Sequence, residues 1–285
     1  MTSDSLILKD NAWVASSTPT SQASPEMLTT LLYGYSVYTT FATPLPSRWL
    51  QAHLQRLAQN AQTLDIQFHW EHQDLAHSLS PFLKQPQVVR LTVLPFINTF
   101  NTLVNNNKLP ADLMVSTRPL PFLSGEPLSL ALAQHQRILP TIKHGSMVAE
   151  IQLRKQAQQA GLDDVLFHNA QRHLTEASTA NFFGLRQSTL YTSDPYRDGC
   201  LPGITRQHLV DWAAASGIPV NTTPLPLDAL KTLDGAFLTN AVTPIRRVRH
   251  IKAQEANLQC ELPWPNDAID LCKSIETFFR QTSAS

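Results

Sequence analysis

The first third of the chain has the hydrophobic pattern of a strand, a helix and a second strand. Residues 33–41, YGYSVYTTF, are rich in aromatic and β-branched side chains, which favour extended structure. In residues 47–66 the large apolar side chains recur at helical intervals, namely at Trp49, Leu50, Leu54, Leu57 and Leu64. Residues 88–96, VVRLTVLPF, predict the next strand, so this part of the chain is predicted to be an α/β domain.

A polar and proline-rich stretch separates this pattern from the next one. Parts of residues 98–127 show no helical or strand periodicity of apolar residues. This predicts a domain boundary between residues 105 and 127. The predicted organisation is a smaller N-terminal domain at residues 1–115, a linker at 116–127 and a larger C-terminal domain at 128–285.

The second half of the chain alternates short apolar runs with helical patterns. Residues 128–134 predict a strand, and residues 147–162 predict a helix that ends at Gly161. A second helix is predicted to start near Ile204, and further short strands are predicted at VLFHN, NFFGLRQ, TLYTS and AFLTN. The predicted fold class is therefore two α/β domains, with a groove between them as the usual place for a ligand.

Composition narrows the choice of partners. Lys plus Arg and Asp plus Glu both total 22, so no excess charge is available to hold nucleic acid or an anionic membrane, and we expect a small-molecule partner. No basic leader precedes a long apolar run, and no stretch approaches the roughly 20 apolar residues of a spanning helix, so we expect a soluble, cytoplasmic protein. The three cysteines have no metal-ligand spacing, and we expect neither a metal site nor a disulfide framework.

Three segments carry residues with chemical potential, and each also has an ordinary structural explanation. Gly203 precedes a predicted helix, where the backbone N–H groups of Ile204 and Thr205 can receive a phosphate or simply start a capped helix. Glu176 stands in a polar stretch beside a buried strand, where a carboxylate is either functional, a helix cap or a surface group. Lys143, in TIKHGSM, is either a reactive amine or a solvated side chain.

The order of these segments resembles the fold-type IV pyridoxal phosphate enzymes, the class IV aminotransferases. The resemblance spans residues 33–248 and rests on motifs that occur in the family's order. They are GYSVYTT at 34–40, HLQRL at 53–57, the lysine at 143, GLDD at 161–164, EASTANFF at 176–183 and LPGITR at 201–206. The resemblance implies a D-amino acid aminotransferase-like fold, with the larger C-terminal domain binding pyridoxal phosphate, and a homodimer whose active site lies near the subunit interface.

The resemblance also implies a role for each matching residue. Lys143 corresponds to the Schiff-base lysine that shuttles protons, and Glu176 to the carboxylate that keeps the pyridine nitrogen protonated. The remaining cofactor residues correspond to groups that hold the phosphate, namely Arg56, Gly203, Ile204, Thr205, Asn240 and Ala241.

The substrate side departs from the family pattern. The usual Gly-Asp-Gly is Gly34-Tyr35-Ser36 here, Ala42 stands near the place of a frequent arginine, and 94–96 (LPF) replaces an Arg-Gly pair. Met147 replaces the tyrosine that follows the lysine in branched-chain enzymes. The candidates for binding the substrate are Tyr38, Arg90, Arg137 and Arg246, while His144 beside the lysine is more simply a packing neighbour.

Three activities fit this pattern. The segments KHGS, GCLPGITR and TNAV resemble aminodeoxychorismate lyases, which implies release of 4-aminobenzoate and pyruvate in folate biosynthesis, with Lys143 as base and acid. The alternative is an aminotransferase acting on branched-chain or D-amino acids. A third hypothesis is a binding protein that keeps the fold without catalysis, against which the matching lysine, glutamate and arginine argue.

Overall fold

The computed structural model describes residues 5–9, 12–15, 33–96, 100–105, 108–253 and 258–284. The chain forms two units. The first comprises residues 1–121, 142–147 and 283–285, and the second comprises residues 122–141 and 148–282. Each unit contains both strands and helices, so the predicted mixed α/β fold class is confirmed.

The first unit is built on a five-stranded antiparallel sheet with the strand order β2-β1-β5-β4-β3. Its strands are β1 (Ser5–Lys9), β2 (Ala12–Ala15), β3 (Val37–Thr43), β4 (Gln87–Pro95) and β5 (Ala111–Arg118). Its helices are α1 (Ser47–Thr63), α2 (His72–Ser78), α3 (Ser80–Leu83) and α4 (Phe100–Asn105).

The hydrophobic pattern explains most of these elements. The helix predicted at residues 47–66 is confirmed as α1, whose apolar residues Trp49, Leu54 and Leu57 are buried. The strands predicted at 33–41 and 88–96 are confirmed as β3 and β4, although β3 starts only at Val37.

Strand β5 lies in the stretch that the sequence analysis treated as aperiodic. Its burial alternates, with Ala111, Leu113 and Val115 buried and the residues between them partly exposed. The strand pairs with β1 on one side and β4 on the other. It extends past residue 115, where the linker was predicted to begin, because its pairing with β4 continues to Arg118.

The second unit contains a larger sheet and three long helices. Its strands are β6 (Leu128–Gln134), β7 (Asp164–His168), β8 (Leu174–Ala177), β9 (Asn181–Arg186), β10 (Thr189–Thr192), β11 (Val220–Asn221), β12 (Gly235–Thr239), β13 (Arg246–Ala253) and β14 (Leu258–Glu261). Its helices are α5 (Val148–Gln159), α6 (Ile204–Ala215) and α7 (Asn266–Ala284), with a π-helical turn at Pro195–Gly199 and a 3₁₀ turn at Leu227–Thr232.

The sheet of the second unit closes on itself. The strand order is β11-β10-β9-β12-β13-β6-β7-β8, and β8 also pairs with β9. A ring is therefore formed by the six strands β6, β7, β8, β9, β12 and β13. Apolar side chains such as Leu130, Phe182 and Ile251 form one core cluster. Strands β6, β7, β9, β10 and β12 and helices α5 and α6 confirm the elements predicted for this half of the chain.

One short segment from the second half of the chain groups with the first unit. Residues 142–147, predicted within the C-terminal domain, belong to the first unit because their backbone pairs with the start of β3. Within the described residues no helix is both long and apolar enough to span a membrane, and no three potential metal ligands gather in one place. All three cysteines are buried thiols.

Candidate active site

The backbone of the lysine segment, residues 142–147, is fixed to the first unit at the start of β3. The amide of Tyr38 donates to the carbonyl of Lys143 at 3.0 Å, and the amide of Gly145 donates to the carbonyl of Ser36 at 2.8 Å. A β-bridge joins Val37 and His144 between these two bonds. The backbone at Lys143 is therefore held in place by main-chain hydrogen bonds.

Glycines permit this close approach. A Cβ atom at Gly145 would collide with the hydroxyl of Ser36. Gly34 has a φ of +63°, and a Cβ there would lie 3.1 Å from Ser146 Oγ. The first glycine of the family's Gly-Asp-Gly pattern, Gly34, therefore has a steric reason to remain in this chain. The second glycine of the pattern is replaced by Ser36.

Tyr38 links the lysine to a second cation. Lys143 Nζ lies 4.7 Å from the centroid of the Tyr38 ring, and the Arg90 guanidinium carbon lies 3.7 Å from the same centroid. The Tyr38 hydroxyl donates to Met147 Sδ at 2.8 Å. The first unit thus brings together the predicted lysine and two of the four predicted substrate residues.

Arg90 is held in place by its own strand. Its Nε donates to Thr92 Oγ1 at 3.3 Å, and Thr92 is the register partner of Tyr38 between β4 and β3. Burial lowers the pKa of Arg90 from its usual value.

Arg56 lies on α1 with its guanidinium buried. Its Nη2 donates to Thr39 Oγ1 at 3.2 Å, and Thr39 Oγ1 shares a 2.6 Å hydrogen bond with His53 Nδ1. Burial lowers the pKa of Arg56 to about 10, with Tyr38 acting in the opposite direction. The arginine remains charged at neutral pH, as a phosphate ligand must.

In the second unit, the glutamate motif forms a tight hairpin. Glu176 at the end of β8 is the register partner of Asn181 at the start of β9. Glu176 Oε2 accepts from the amide of Leu201 at 3.2 Å, and Asn181 Nδ2 donates to the carbonyl of Leu201 at 2.8 Å. The spacing of the motif therefore places two side chains on one face of the sheet, where both bind the loop before α6.

That loop leads into a helix N-terminus suited to an anion. Gly203 is the N-cap residue of α6, and no side chain caps the helix. Thr205 is buried, and its hydroxyl makes no hydrogen bond among the described residues. A Cβ at Gly203 would collide with Asn181 Oδ1, so this position requires glycine. Uncapped amides beside an unsatisfied hydroxyl fit the phosphate of pyridoxal phosphate.

The remaining predicted residues of the second unit lie near β12 and β13. Asn240 follows β12, and its Oδ1 accepts from the amides of Val242 at 2.9 Å and Thr243 at 2.8 Å. The Asn240 side chain therefore organises the turn that contains Ala241. Arg246 begins β13 opposite Leu238. The cofactor role of Asn240 and Ala241 and the substrate role of Arg246 stay predictions.

Arg137 lies between two carboxylates of the second unit, and its predicted substrate role stays a prediction. The residue is buried, with its Nε 3.5 Å from Glu150 Oε1 and its Nη1 3.9 Å from Glu176 Oε1. His135 Nε2 lies 3.0 Å from the same Glu150 oxygen. Glu150 and His135 could not be found from the sequence, because the contacts join the end of β6, α5 and β8, which no local spacing in the chain connects.

His144 serves the lysine segment itself. It is buried, and its Nδ1 accepts from the amide of Ser146 at 3.2 Å. This contact is the kind expected if His144 is a packing neighbour of Lys143.

Comparison with known proteins identifies the family. The family model described as amino-transferase class IV matches residues 37–251, about three quarters of the chain. The chain belongs to the class IV aminotransferases. Enzymes of this family depend on pyridoxal phosphate, so the chain is a pyridoxal phosphate-dependent enzyme with the fold-type IV architecture.

Relatives within this family carry two kinds of name. A protein of Rickettsia felis assigned as a branched-chain-amino-acid aminotransferase is 24% identical over 211 residues, which cover 71% of this chain and 72% of the relative. The crystal structure of a Legionella pneumophila protein assigned as a 4-amino-4-deoxychorismate lyase has a TM-score of 0.77 and 23% identity, and covers 94% of this chain and 97% of its own. The Escherichia coli branched-chain amino acid aminotransferase has a TM-score of 0.79 and 17% identity, with coverages of 97% and 93%. These structural likenesses establish the fold of a class IV aminotransferase.

Proposed function

We propose that this chain is a 4-amino-4-deoxychorismate lyase, which releases 4-aminobenzoate and pyruvate for folate biosynthesis. The observation that carries the proposal is the contact of Lys143 and Arg90 with one tyrosine ring, Tyr38. A reactive lysine beside a partly desolvated arginine suits a substrate with two carboxylates better than an aliphatic amino acid side chain. The motifs KHGS, GCLPGITR and TNAV support the same choice.

The reaction needs no second substrate. The atoms of 4-amino-4-deoxychorismate equal those of 4-aminobenzoate and pyruvate together, so neither an oxidant nor an amino acceptor is consumed. When bound, pyridoxal phosphate withdraws electrons from the carbon that carries the substrate amine.

In the proposed mechanism, Lys143 would hold the cofactor through its amine and would be free to move protons once the substrate amine is bound in its place. The freed Lys143 amine then removes the proton from the amine-bearing ring carbon and returns a proton to the departing enolpyruvyl group. The loss of that group makes the ring aromatic. Tyr38, Arg90 and Arg246 are proposed to orient the substrate and its carboxylates.

The other residues are proposed to hold the cofactor. Glu176 keeps a proton on the pyridine nitrogen, and Arg56 meets the phosphate. The amides of Ile204 and Thr205, the Thr205 hydroxyl and the turn at Asn240 and Ala241 complete the phosphate site.

A second candidate function is transamination of branched-chain amino acids. The names of the Rickettsia relatives support it. The substitution of Met147 for the tyrosine of branched-chain enzymes speaks against it, and so does the charged contact around Tyr38.

The first experiment compares the two reactions in the cofactor-loaded enzyme. One arm supplies enzymatically generated 4-amino-4-deoxychorismate and measures 4-aminobenzoate. The other supplies branched-chain or D-amino acids with 2-oxoglutarate or pyruvate and measures keto acids. We expect 4-aminobenzoate release, lowered roughly a hundredfold or more by Lys143→Ala and unaffected by Lys155→Ala on the exposed face of α5.

Transamination without 4-aminobenzoate would overturn the lyase proposal in favour of the second candidate. A protein that binds no pyridoxal phosphate would overturn both.

A further inference from the structure

Four ionisable side chains, three of them buried, form a row in the second unit. His135 Nε2 lies 3.0 Å from Glu150 Oε1, Arg137 Nε lies 3.5 Å from the same oxygen, and Arg137 Nη1 lies 3.9 Å from Glu176 Oε1. Arg137, Glu150 and Glu176 are all buried. The row therefore alternates imidazole, carboxylate, guanidinium and carboxylate, and it ends on the residue proposed to face the cofactor.

Burial makes the partners of Glu176 important. A carboxylate removed from water tends to take up a proton, unless a cation or a hydrogen-bond donor stabilises its charge. Here the Leu201 amide donates to Oε2, and Arg137 lies on the side of Oε1. The nearby Cys200 adds no negative charge, because burial and then Glu176 itself raise the pKa of this thiol, which stays neutral. Arg137 thus favours the ionised form of Glu176 and also restricts its orientation.

The net charge around Arg137 distinguishes two possible roles for this residue, a partner of Glu176 and a ligand of a substrate carboxylate. The three residues Glu150, Arg137 and Glu176 together carry a net charge of about −1. A protonated pyridine nitrogen next to Glu176 would bring the row to neutrality. A substrate carboxylate at Arg137 would instead add a third carboxylate around one buried guanidinium, which is strongly unfavourable.

We propose that Arg137, held by Glu150 and His135, is a positioning residue that keeps Glu176 charged and oriented for the cofactor, and that it does not bind a substrate carboxylate. This inference rests on the role of Glu176 in the proposed function. It replaces the substrate role predicted for Arg137 from the sequence.

The test examines the resting enzyme without substrate. Arg137→Met removes the cation, Arg137→Lys keeps a charge, and Glu150→Gln changes the row without touching Glu176. The matched control is Arg154→Met, which removes an arginine of α5 that lies 3.8 Å from Asp164 instead. The readouts are the visible absorbance spectrum of the bound cofactor and the dissociation constant of pyridoxal phosphate.

We expect Arg137→Met to shift the cofactor spectrum and to weaken pyridoxal phosphate binding about tenfold or more, by analogy with the loss seen when the hydrogen-bond partners of metal ligands are removed. Arg137→Lys restores part of the loss, Glu150→Gln shows a smaller change in the same direction, and Arg154→Met matches the unmodified enzyme. If Arg137→Met does not fold, the cofactor spectra and affinities of Arg137→Lys and Glu150→Gln test the proposal instead.

Two results would overturn the proposal. One is an unchanged cofactor spectrum and affinity in the Arg137 variants, with a raised KM for substrate, which would mark Arg137 as a substrate ligand. The other is a Glu150→Gln enzyme with an unchanged cofactor spectrum and an unchanged affinity for pyridoxal phosphate. This result would show that Glu150 and His135 do not hold Arg137 in its positioning role. Because these readouts need no substrate, failure of the lyase assay in the unmodified enzyme would count against the proposed function alone.

Discussion

At the scale of single residues, the phosphate-binding role proposed for Thr205 carries a cost in stability. Its hydroxyl is buried in the first turn of α6 and makes no hydrogen bond among the described residues. Leaving such a group unsatisfied costs about 1–3 kcal/mol in the free energy of folding. The cost is understandable where the phosphate of the cofactor supplies the missing acceptor.

The change Thr205→Val therefore has opposite effects on stability and binding. We expect the free energy of unfolding of the cofactor-free protein to rise by about 1 kcal/mol, and pyridoxal phosphate affinity to fall about tenfold. Chemical denaturation and cofactor titration measure the two effects. Thr192→Val is the control, because the buried Thr192 hydroxyl already donates to the Phe182 carbonyl at 2.8 Å.

The control should lose about 1 kcal/mol of stability and keep its cofactor affinity. If Thr205→Val lowers stability just as the control does, its hydroxyl has a partner within the protein and the phosphate site is wrongly placed.

At the scale of elements, the lysine segment depends on its close contact with the residues before β3. Gly145 leaves no room for a Cβ because the Ser36 hydroxyl occupies that space, and this hydroxyl makes no hydrogen bond among the described residues. The contact is therefore steric. It sets the distance between two backbone segments that exchange hydrogen bonds on either side of it.

Gly145→Ala should displace Lys143, and Ser36→Ala should restore it. We expect Gly145→Ala to slow the attachment of pyridoxal phosphate to the cofactor-free protein by roughly tenfold to a hundredfold, since misplacement by about 1 Å is enough for such losses. The double variant Ser36→Ala/Gly145→Ala should recover most of the rate, while Ser36→Ala alone should resemble the unmodified protein. Stopped-flow absorbance measures the rate.

A double variant as slow as Gly145→Ala alone would mean that the loss comes from the glycine backbone. The steric explanation would then be wrong.

The elements themselves were predictable wherever one pattern persisted over several residues. Helix α1 and strands β4, β6 and β12 follow from apolar spacing alone. Strand β5 was missed because the prolines and asparagines around it dominate the local composition, although Ala111, Leu113 and Val115 alternate as a half-buried strand should. A search for period-two burial within residues 108–118 would have found it.

At the scale of the whole molecule, local motifs located the candidate site only in part. Lys143, Glu176 and the loop at Gly203 stand in short motifs, so the sequence alone was enough to propose them as site residues. The environment of Arg137 depends on pairing: β6 pairs with β7 and β7 with β8, which brings the residues after β6 towards Glu176. Such contacts across a sheet have no fixed spacing in the chain, so charge type alone suggested a substrate role.

The surface of the second unit carries apolar residues next to the same ion pair. Ile138 and Leu139 follow Arg137, while Val148 and Ile151 flank Glu150 on α5, and all four are exposed. The Arg137–Glu150 contact brings these two segments together. Exposed apolar residues grouped in this way are typical of a protein interface.

We propose that this apolar group belongs to the interface of a homodimer, as the family resemblance implies. Val148→Asp should give a monomer in sedimentation equilibrium at concentrations where the unmodified protein has twice the chain mass, because it places a charge in the apolar contact. The fold should survive, since an acidic residue is favourable in the first turn of a helix. Tyr196→Ser, at another exposed residue, is the control and should leave the mass unchanged. A Val148→Asp protein that remains dimeric, or an unmodified protein that is monomeric, would refute this assignment of the interface.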